Sequence, residues 1–441
     1  MAIKIFVLVL FILTYVLIIA FSKYKMYITL ATALLMSGSL LIFGRAKFLE
    51  VLLSIDYNVI LMLFGIMITV GLFSDSGMPN KLADKLVSKI PNTMVTLVIL
   101  SVLSGVISAF IDNVATVLML APIGIAIAKK TKVSPVPVII AIAVSSNLQG
   151  AATLVGDTTS IMLAGQLKMS FVDFFFMNGR FSIFWAVELG MLFTIPVLFF
   201  IFRKSNKRLI IESQSIKVTS IMPTLLLTLT IVLLIAFSFV PKKPEITNGI
   251  ICMSIGIIGL VYHFITILTR KPTDNLEKPT FKSAFVTFWK SAIDYETIVF
   301  LISLFVIIFA VDTVGIIDDI GRFFQSIGAN NIFLLYTIIV FGSVLCSAFI
   351  DNIPYVATML PVINSLNAPQ NIEILLCFGL LCGATLGGNL TPVGASANVV
   401  GIGILRKDGY QVKNSDFFKI GIPFTMIAVL AGYLFCWFVW S

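Results

Sequence analysis

The chain has few charged side chains and almost no histidine. Only 12% of its 441 residues are Asp, Glu, Lys or Arg, and His263 is its single histidine. A soluble globular domain carries roughly 25% charged residues. A chain with 59% hydrophobic residues and a mean hydropathy of +1.07 cannot hide that much apolar surface from water. Lipid must therefore be the solvent for most of the chain.

Further absences exclude other classes of protein. The five cysteines lie in apolar runs without a Cys-x-x-Cys pair, so neither a metal centre nor a disulfide framework is predicted. No GxxxxGK[ST] loop is present, so the chain alone is not an ATP-driven pump. The basic residues do not cluster with aromatic residues, as nucleic-acid binding requires. We expect no nucleic-acid partner, no cofactor beyond a coupling Na⁺ or H⁺, and no enzymatic activity.

Apolar runs long enough to cross a bilayer predict spans at 4–21, 28–43, 57–74, 181–202, 218–240, 247–269, 295–312 and 419–440. The longer runs 135–165 and 372–403 contain Gly, Asn and Thr near their middle, and we expect them to be discontinuous helices. The runs 93–128 and 331–366 are split by Asp-Asn and have short arms, so each is predicted to be a re-entrant hairpin. The fold class is an all-α polytopic membrane protein with about ten crossings.

The distribution of basic residues predicts the orientation of the chain. Placing the cluster at 203–208 in the cytoplasm puts most of the 30 Lys and Arg residues inside, including Lys23 and Lys25, as the positive-inside rule requires. Both termini then lie on the outer side of the cytoplasmic membrane. The first apolar run is not followed by a small-residue cleavage site, so it is predicted to be a retained helix.

One hexapeptide occurs twice. Ser-Ala-Phe-Ile-Asp-Asn stands at 108–113 and again at 347–352. Matches in the same order flank it: Asp56 with Asp294, Gly77 with Gly315, Pro122 with Pro361, Gly156 with Gly394, and Asp173 with Asp416. These matches predict two repeats, at 56–202 and 294–440. Scaffold helices at 1–55 precede the first repeat, and a linker at 203–293 with two further scaffold helices precedes the second. Under the predicted orientation the repeats are inverted, which is the architecture of secondary transporters with a midplane site.

The repeated motif places Asp112 and Asp351 at bilayer depth, where an ionised carboxylate is costly. Asn113 and Asn352 follow them. Each Asp could cap the second arm of its hairpin by accepting backbone N–H groups. Alternatively, both hairpin tips could meet near the midplane and bind a substrate or an ion. The two roles are compatible.

The middle of each discontinuous helix is rich in Gly, Thr and Asn. Unwound backbone frees carbonyl oxygens, which coordinate monovalent cations in transporters. Packing of small residues would explain the glycines, but it does not explain Asp157. Asp157 has Ala395 at the matching position of the second repeat, and it is a candidate proton carrier because a low-dielectric site favours the neutral carboxyl. The predicted substrate- or ion-binding residues are Asp112, Asn113, Asn147, Thr153, Gly156, Asp157, Asp351, Asn352, Asn389, Thr391, Gly394, Ser396 and Asn398.

Two segments resemble the ion transporter superfamily, which includes arsenite permeases, D-type bacterial sodium/proton antiporters, the melanosomal P-protein, and citrate and dicarboxylate permeases. They are Phe-Ile-Asp-Asn-Val-Ala-Thr at 110–116 and Gly-Gly-Asn-Leu-Thr-Pro-Val-Gly-Ala-Ser-Ala-Asn-Val-Val at 387–400. They look closest to the antiporter and P-protein branch. The resemblance covers both repeats and implies a scaffold domain, often dimeric, a transport domain of hairpins and broken helices, and elevator-like movement.

The chain departs from the dicarboxylate branch at the hairpin tips, where that branch carries Ser-Asn-Thr. This chain has Asp-Asn-Val at 112–114 and Asp-Asn-Ile at 351–353. Two carboxylates would repel a dianion unless cations or protons neutralise them. The chain also has Thr-Thr-Ser after Asp157, where Pro-Pro-Asn is commoner in the family. A cation, a proton or neutral arsenous acid therefore fits better than a dicarboxylate.

The sequence thus predicts a secondary active transporter of the cytoplasmic membrane, homodimeric, acting on a small inorganic ion or a small organic anion. Cation/proton antiport is the leading prediction. A permease for arsenite, an oxyanion or a citrate-like carboxylate is the alternative. A passive channel would carry its substrate without coupling. An intramembrane aspartyl protease would need two unlike carboxylates, which a duplicated motif does not predict.

Overall fold

Helices form most of the computed structural model, which describes residues 2–87, 89–206, 218–269, 281–328 and 331–441. The first half of the chain contains α1 (Ala2–Ala20), α2 (Lys25–Ile42), α3 (Phe48–Leu53), α4 (Tyr57–Asp75), α5 (Met78–Val87), α6 (Thr93–Ser108), α7 (Asn113–Thr131), α8 (Pro135–Gln149), α9 (Thr158–Leu167) and α10 (Ile183–Phe202). The second half contains α11 (Met222–Ser238), α12 (Thr247–Thr269), α13 (Phe281–Ala292), α14 (Tyr295–Thr313), α15 (Ile316–Gly328), α16 (Ile332–Ser347), α17 (Asn352–Ser365), α18 (Gln370–Gly387), α19 (Ser396–Lys407) and α20 (Asn414–Trp440).

The remaining regular elements are short. Four 3₁₀ turns lie at Ser22–Tyr24, Val172–Phe174, Arg203–Ser205 and Gly388–Leu390. The strands β1 (Phe176–Met177) and β2 (Arg180–Phe181) pair antiparallel, with Phe176 opposite Phe181. This two-residue hairpin leads directly into α10.

The protein is an all-α polytopic membrane protein, as predicted. Within the described ranges, nine helices are long and apolar enough to cross a bilayer: α1, α2, α4, α7, α10, α12, α14, α18 and α20. The helices α6, α8, α11 and α16 are apolar but shorter. Large apolar side chains such as Val16 and Leu34 stand exposed on the outer surface, where lipid would cover them. The predicted number of ten crossings remains a prediction.

Residues that match between the two predicted repeats have the same local role in the structure. Asp56 caps α4 by accepting the Val59 N–H at 3.1 Å, and Asp294 caps α14 by accepting the Thr297 N–H at 3.0 Å. Gly77 and Gly315 both have a φ of +74° just after these helices, a left-handed conformation that glycine adopts without strain. Equivalent local sequence therefore begins and ends equivalent helices.

The order of elements from α4 to α10 is the same as from α14 to α20. The correspondence also extends before both segments, because two apolar helices and then a shorter helix precede each of them: α1 to α3 before α4, and α11 to α13 before α14. The two halves pack crosswise, with α2 against α14 and α12 against α4. Parts of the predicted 203–293 linker, and Lys207 and Arg208 of the basic cluster, lie outside the described residues.

The core of the protein is built around α8 and α18. Every residue of α8 except Pro137 is buried, and α18 is buried continuously from Ile374 to Gly387. Each of these helices packs against its preceding helical hairpin, α8 against α6 and α7, and α18 against α16 and α17. Each ends at an interruption, at 150–157 and 388–395, so the interruptions lie inside the protein.

Candidate functional site

Three short non-helical segments, together with the start of α19, line one cavity of about 490 Å³. Two of them are the hairpin tips, 109–112 between α6 and α7, and 348–351 between α16 and α17. The third is the interruption 150–157. The interruption 388–395 does not line the cavity, but Ser396, the first residue of α19 after it, does. The predicted site residues that line the cavity are Asp112, Asn113, Asn147, Gly156, Asp157, Asp351, Asn352 and Ser396. Both halves of the chain therefore contribute to one site.

The other predicted residues lie behind the cavity wall and hold the non-helical segments together. The Thr153 hydroxyl donates a hydrogen bond to the Ala109 carbonyl, and the Thr391 hydroxyl donates one to the Ala348 carbonyl at 2.5 Å. Each interruption is thereby tied to the hairpin tip of its own half. Asn398 donates from its amide to the Gly388 and Thr391 carbonyls, at 3.1 and 3.2 Å.

Gly156 and Gly394 allow close approach between each interruption and its hairpin tip. A Cβ on Gly156 would stand 2.6 Å from the Gly150 carbonyl oxygen and 2.9 Å from that of Ala109. A Cβ on Gly394 would stand 2.7 Å from the Gly388 oxygen and 2.9 Å from that of Ala348. No side chain fits at either position, and backbone carbonyl oxygens converge around both glycines.

Asp157 joins the two halves. It is 7% exposed and accepts the Thr158 N–H at 2.7 Å, which caps α9, together with the Thr159 hydroxyl at 3.0 Å. Its other contact comes from the second hairpin tip, because the Asn352 amide donates to Oδ2 at 3.1 Å. Ala395 has nearly the same backbone conformation, with φ/ψ of −141°/143° against −150°/155° for Asp157. The site is therefore symmetric in backbone and asymmetric in charge.

Asn147 is the centre of a buried amide network. Its Oδ1 accepts from the Asn113 amide at 2.9 Å. Its Nδ2 donates to the Thr385 carbonyl at 2.7 Å and to the Asn389 Oδ1 at 3.2 Å. Asn389 in turn donates to the Val144 carbonyl at 2.9 Å. These bonds satisfy buried polar groups and fix the first hairpin tip against both central helices.

The two aspartates of the repeated motif have different partners. Asp112 caps α7, with Oδ1 accepting the Val114 N–H at 3.0 Å and the Ala115 N–H at 3.1 Å. Asp351 makes no side-chain cap on α17. Instead, its carboxylate pairs with the Lys25 ammonium at 2.7 Å.

Lys25 also lines the cavity. The sequence predicted only that it helps to orient the chain in the membrane. Its side chain and that of Asp351 are about one-fifth exposed, at 21% and 18%. The available signal was a difference between the repeats, Asn-Val-Ala at 113–115 and Asn-Ile-Pro at 352–354. That difference does not identify the partner, because Lys25 is separated from Asp351 by most of the chain.

The mouth of the cavity is lined by exposed charged residues at helix ends: Asp75, Lys290, Asp294 and Glu296. Asp294 is held by α14, accepting the Thr297 N–H at 3.0 Å and the Thr297 hydroxyl at 2.6 Å. In the part of the chain that the structure describes, no three His, Cys, Asp or Glu residues are grouped so as to hold a metal ion.

A polar, charged cavity between interrupted helices is compatible with a membrane transporter, and the proteins to which the chain is similar identify it as one. The chain belongs to the citrate transporter family, CitMHS, which its residues 8–378 and 291–441 match. It is 29% identical to a 46 kDa membrane protein of Mycobacterium leprae, covering 87% of this chain and 86% of that protein. It is 28% identical to an uncharacterized transporter of Mycobacterium tuberculosis, covering 97% of this chain and 96% of that protein.

More distant proteins are also similar over most of the chain. The human P protein is 25% identical over 86% of this chain, which spans 53% of that longer protein. Two solved transporter structures are similar in fold at low sequence identity. The YdaH transporter of Alcanivorax borkumensis has a TM-score of 0.55 at 14% identity, covering 87% of this chain and 84% of that one. MtrF of Neisseria gonorrhoeae has a TM-score of 0.51 at 16% identity, covering 87% and 80%. The predicted superfamily membership is confirmed.

Proposed function

We propose that this protein is a secondary active transporter that exchanges a small cation for protons across the cytoplasmic membrane. The observation that carries the proposal is the sign of the charges in the cavity. Among the described residues, six acids and two lysines line it: Asp75, Asp112, Asp157, Asp294, Glu296 and Asp351 against Lys25 and Lys290. A cleft lined mainly by one sign of charge concentrates ions of the opposite sign. A net negative cavity therefore favours a cation.

Asp157 is the proposed proton carrier. It is buried between the two halves, and burial favours the neutral carboxyl over the carboxylate. A bound cation reverses that preference, since a nearby positive charge stabilises the carboxylate. Cation and proton thus exclude each other at one site, which is the requirement for exchange. In the alternative scheme, Na⁺ is the coupling ion and a different solute is the substrate. The backbone carbonyl oxygens that converge around Gly156 and Gly394 support binding of Na⁺.

The contacts favour movement of the site as one body. Each interruption is bound to its own hairpin tip through Thr153 or Thr391. The two halves are bound to each other through Asn352–Asp157 and Asn147–Asn389. We propose that the hairpins are re-entrant, that the repeats are inverted, and that this unit moves in an elevator fashion against a dimeric scaffold.

The orientation of the cavity follows from its mouth. Under the predicted topology, the C-terminal end of α4 and the N-terminal ends of α2 and α14 lie on the cytoplasmic side. Asp75, Lys25 and Asp294 stand at these ends and line the cavity. We infer that the described conformation opens toward the cytoplasm, with both termini outside.

A citrate-like permease is the second candidate, because the family is named for citrate transport. The two lysines in the cavity are the residues that would attract a carboxylate. Each ionised acid in the cavity repels a substrate carboxylate. The repulsion is about 4 kcal/mol for two charges about 4 Å apart at an effective dielectric of about 20. Citrate would therefore have to enter with its charge offset by cations or protons.

Reconstitution into liposomes containing a pH-sensitive dye tests the proposal. An imposed pH gradient is challenged in turn with sodium, lithium, arsenite and citrate. Dye recovery after sodium or lithium, with saturation, is the expected result. A response to citrate alone would contradict the charge argument, and a response without saturation or proton movement would indicate a channel. The Asp318→Asn variant is the matched control, since Asp318 lies on α15 and does not line the cavity.

A further inference from the structure

The two hairpin tips have the same backbone and different chemistry. Asp112 has φ/ψ of −46°/138° and Asp351 has −50°/138°, and each directly precedes the first residue of a helix. Asp112 uses this position to accept two backbone N–H groups, whereas Asp351 accepts none. A difference in backbone geometry therefore does not explain the difference in partners.

The third residue after each aspartate contributes to this difference. In the first tip this residue is Ala115, whose N–H donates to Asp112 at 3.1 Å. In the second tip the equivalent residue is Pro354, and proline has no backbone N–H to donate. Proline in the first turn leaves the helix intact but removes one of the two capping donors. The Asp351 carboxylate is thus left available for another partner.

That partner, Lys25, is held at the tip by helices outside the hairpin. Lys25 is the first residue of α2, which packs against α1 and α14. A cation is disfavoured at a helix N-terminus by the macrodipole, so α2 itself does not stabilise the ammonium. The stabilising contacts are the Asp351 carboxylate at 2.7 Å and the ring of Phe300, whose centroid lies 5.2 Å from Nζ.

The pair lies in the cavity at which a transported cation would arrive. The Lys25 ammonium donates its hydrogen bond to Oδ2 of Asp351. Of the two tip aspartates, Asp112 caps a helix and Asp351 does not. A bound cation and the Lys25 ammonium cannot both occupy the same side of Oδ2, because the two charges would then stand within contact distance of each other.

We infer that Lys25 is a resident counter-ion that competes with the transported cation for Asp351. In the empty site the ammonium neutralises Asp351. When a cation binds, the ammonium leaves the carboxylate and the cation takes its place, so the charge beside Asp351 is unchanged. Lys25 thereby sets the affinity of the site and prevents the cation from being held too tightly for release. The inference rests on the proposed cation transport and adds a residue from α2 to the site.

The first test uses the unmodified protein. A salt-bridged ammonium reacts slowly with an amine-acetylating reagent, and a released amine reacts faster. Purified full-length protein in detergent is acetylated with and without sodium or lithium, with choline at equal ionic strength as the salt control. Lys23, exposed and two residues away, is the internal reference in the same digest. Sodium or lithium should raise the labelling of Lys25 several-fold relative to Lys23. Equal labelling of Lys25 in all salts would overturn the inference.

The second test measures the affinity in liposomes. Lys25→Gln removes the competing charge, so the half-saturating cation concentration should fall by about tenfold, as for other coupled charge pairs in contact. Lys23→Gln is the matched control, because Lys23 is exposed and does not line the cavity. An unchanged or higher half-saturating concentration in Lys25→Gln overturns the inference about Lys25 but leaves the proposed function standing. A wild-type protein that responds to no cation overturns the proposed function, and the inference with it.

Discussion

Replacement of Asp157 by asparagine separates the charge of this residue from its structural role. Asparagine caps a helix about as well as aspartate, so the bond from the Thr158 N–H at 2.7 Å can persist. The Thr159 hydroxyl can turn to the Thr385 hydroxyl, which stands 3.3 Å away. The Asn352 amide can present its oxygen in place of its nitrogen. We therefore expect the free energy of unfolding to change by no more than about 1 kcal/mol.

Transport should respond far more strongly than stability. Loss of one carboxylate charge about 4 Å from a bound cation removes about 4 kcal/mol at an effective dielectric of about 20, which is about a thousandfold in affinity. The variant also lacks a carboxyl at position 157, where the proton is proposed to bind. We expect sodium-dependent dye recovery to be abolished at any accessible sodium concentration, while the variant remains folded and monodisperse in detergent.

The assay is the liposome experiment described above, run beside thermal unfolding of the same preparation. Asp318→Asn controls for the loss of a negative charge elsewhere, because Asp318 lies outside the cavity lining. If Asp157→Asn transported with the pH dependence of the wild type, the assignment of Asp157 as the proton carrier would be wrong. If it lost both transport and stability, Asp157 would be a structural residue.

Three further changes test the architecture of the site. Gly156→Ala should destabilise the protein by more than about 2 kcal/mol, since the added Cβ would stand 2.6 Å from the Gly150 oxygen; Gly403→Ala, inside α19 and with nothing within 4 Å, should not lower the unfolding midpoint, because alanine has the higher helix propensity. Asp112→Ala should lose transport and about 1 kcal/mol of cap energy, whereas Asp112→Asn should lose only transport; equal stability of both variants would contradict the cap. Asn147→Leu should cost about 2–5 kcal/mol, because it removes the buried partners of the Asn113 Nδ2 and the Asn389 Oδ1; thermal unfolding in detergent measures it, and a stability unchanged from wild type would show that Asn147 does not organise the site.

The sequence was most informative where the relevant interaction is local. Asp56 and Asp294 were matched as repeated residues, and both cap the helix that follows. The Gly-rich segments were matched as the middle of discontinuous helices, and the helices end there, at Gln149 and Gly387. A helix cap, a glycine conformation or a missing N–H group affects only residues close by in the chain. Its consequences can therefore be inferred from the neighbouring residues in the sequence.

The site was harder to predict in detail. The duplicated motif predicted that Asp112, Asn113, Asp351 and Asn352 belong to one site, and all four line one cavity. Thr153 and Thr391 were grouped with them as binding residues, but their hydroxyls face the carbonyls of their own hairpin tips. A hydroxyl beside an interruption can serve a ligand or the backbone equally well, and only its position in space distinguishes the two.

The sequence by itself therefore determined the class of protein, the helices, their interruptions and the duplication, because composition and short-range backbone preferences fix them. Only the tertiary structure decided which side chains meet. The bond from Asn352 to Asp157 and the ion pair of Lys25 with Asp351 join segments 195 and 326 residues apart. Such contacts depend on how helices from both halves pack around the buried α8 and α18, and no local pattern contains that information. The same packing places Lys25, which was expected only to orient the chain, in an ion pair with Asp351 in the cavity.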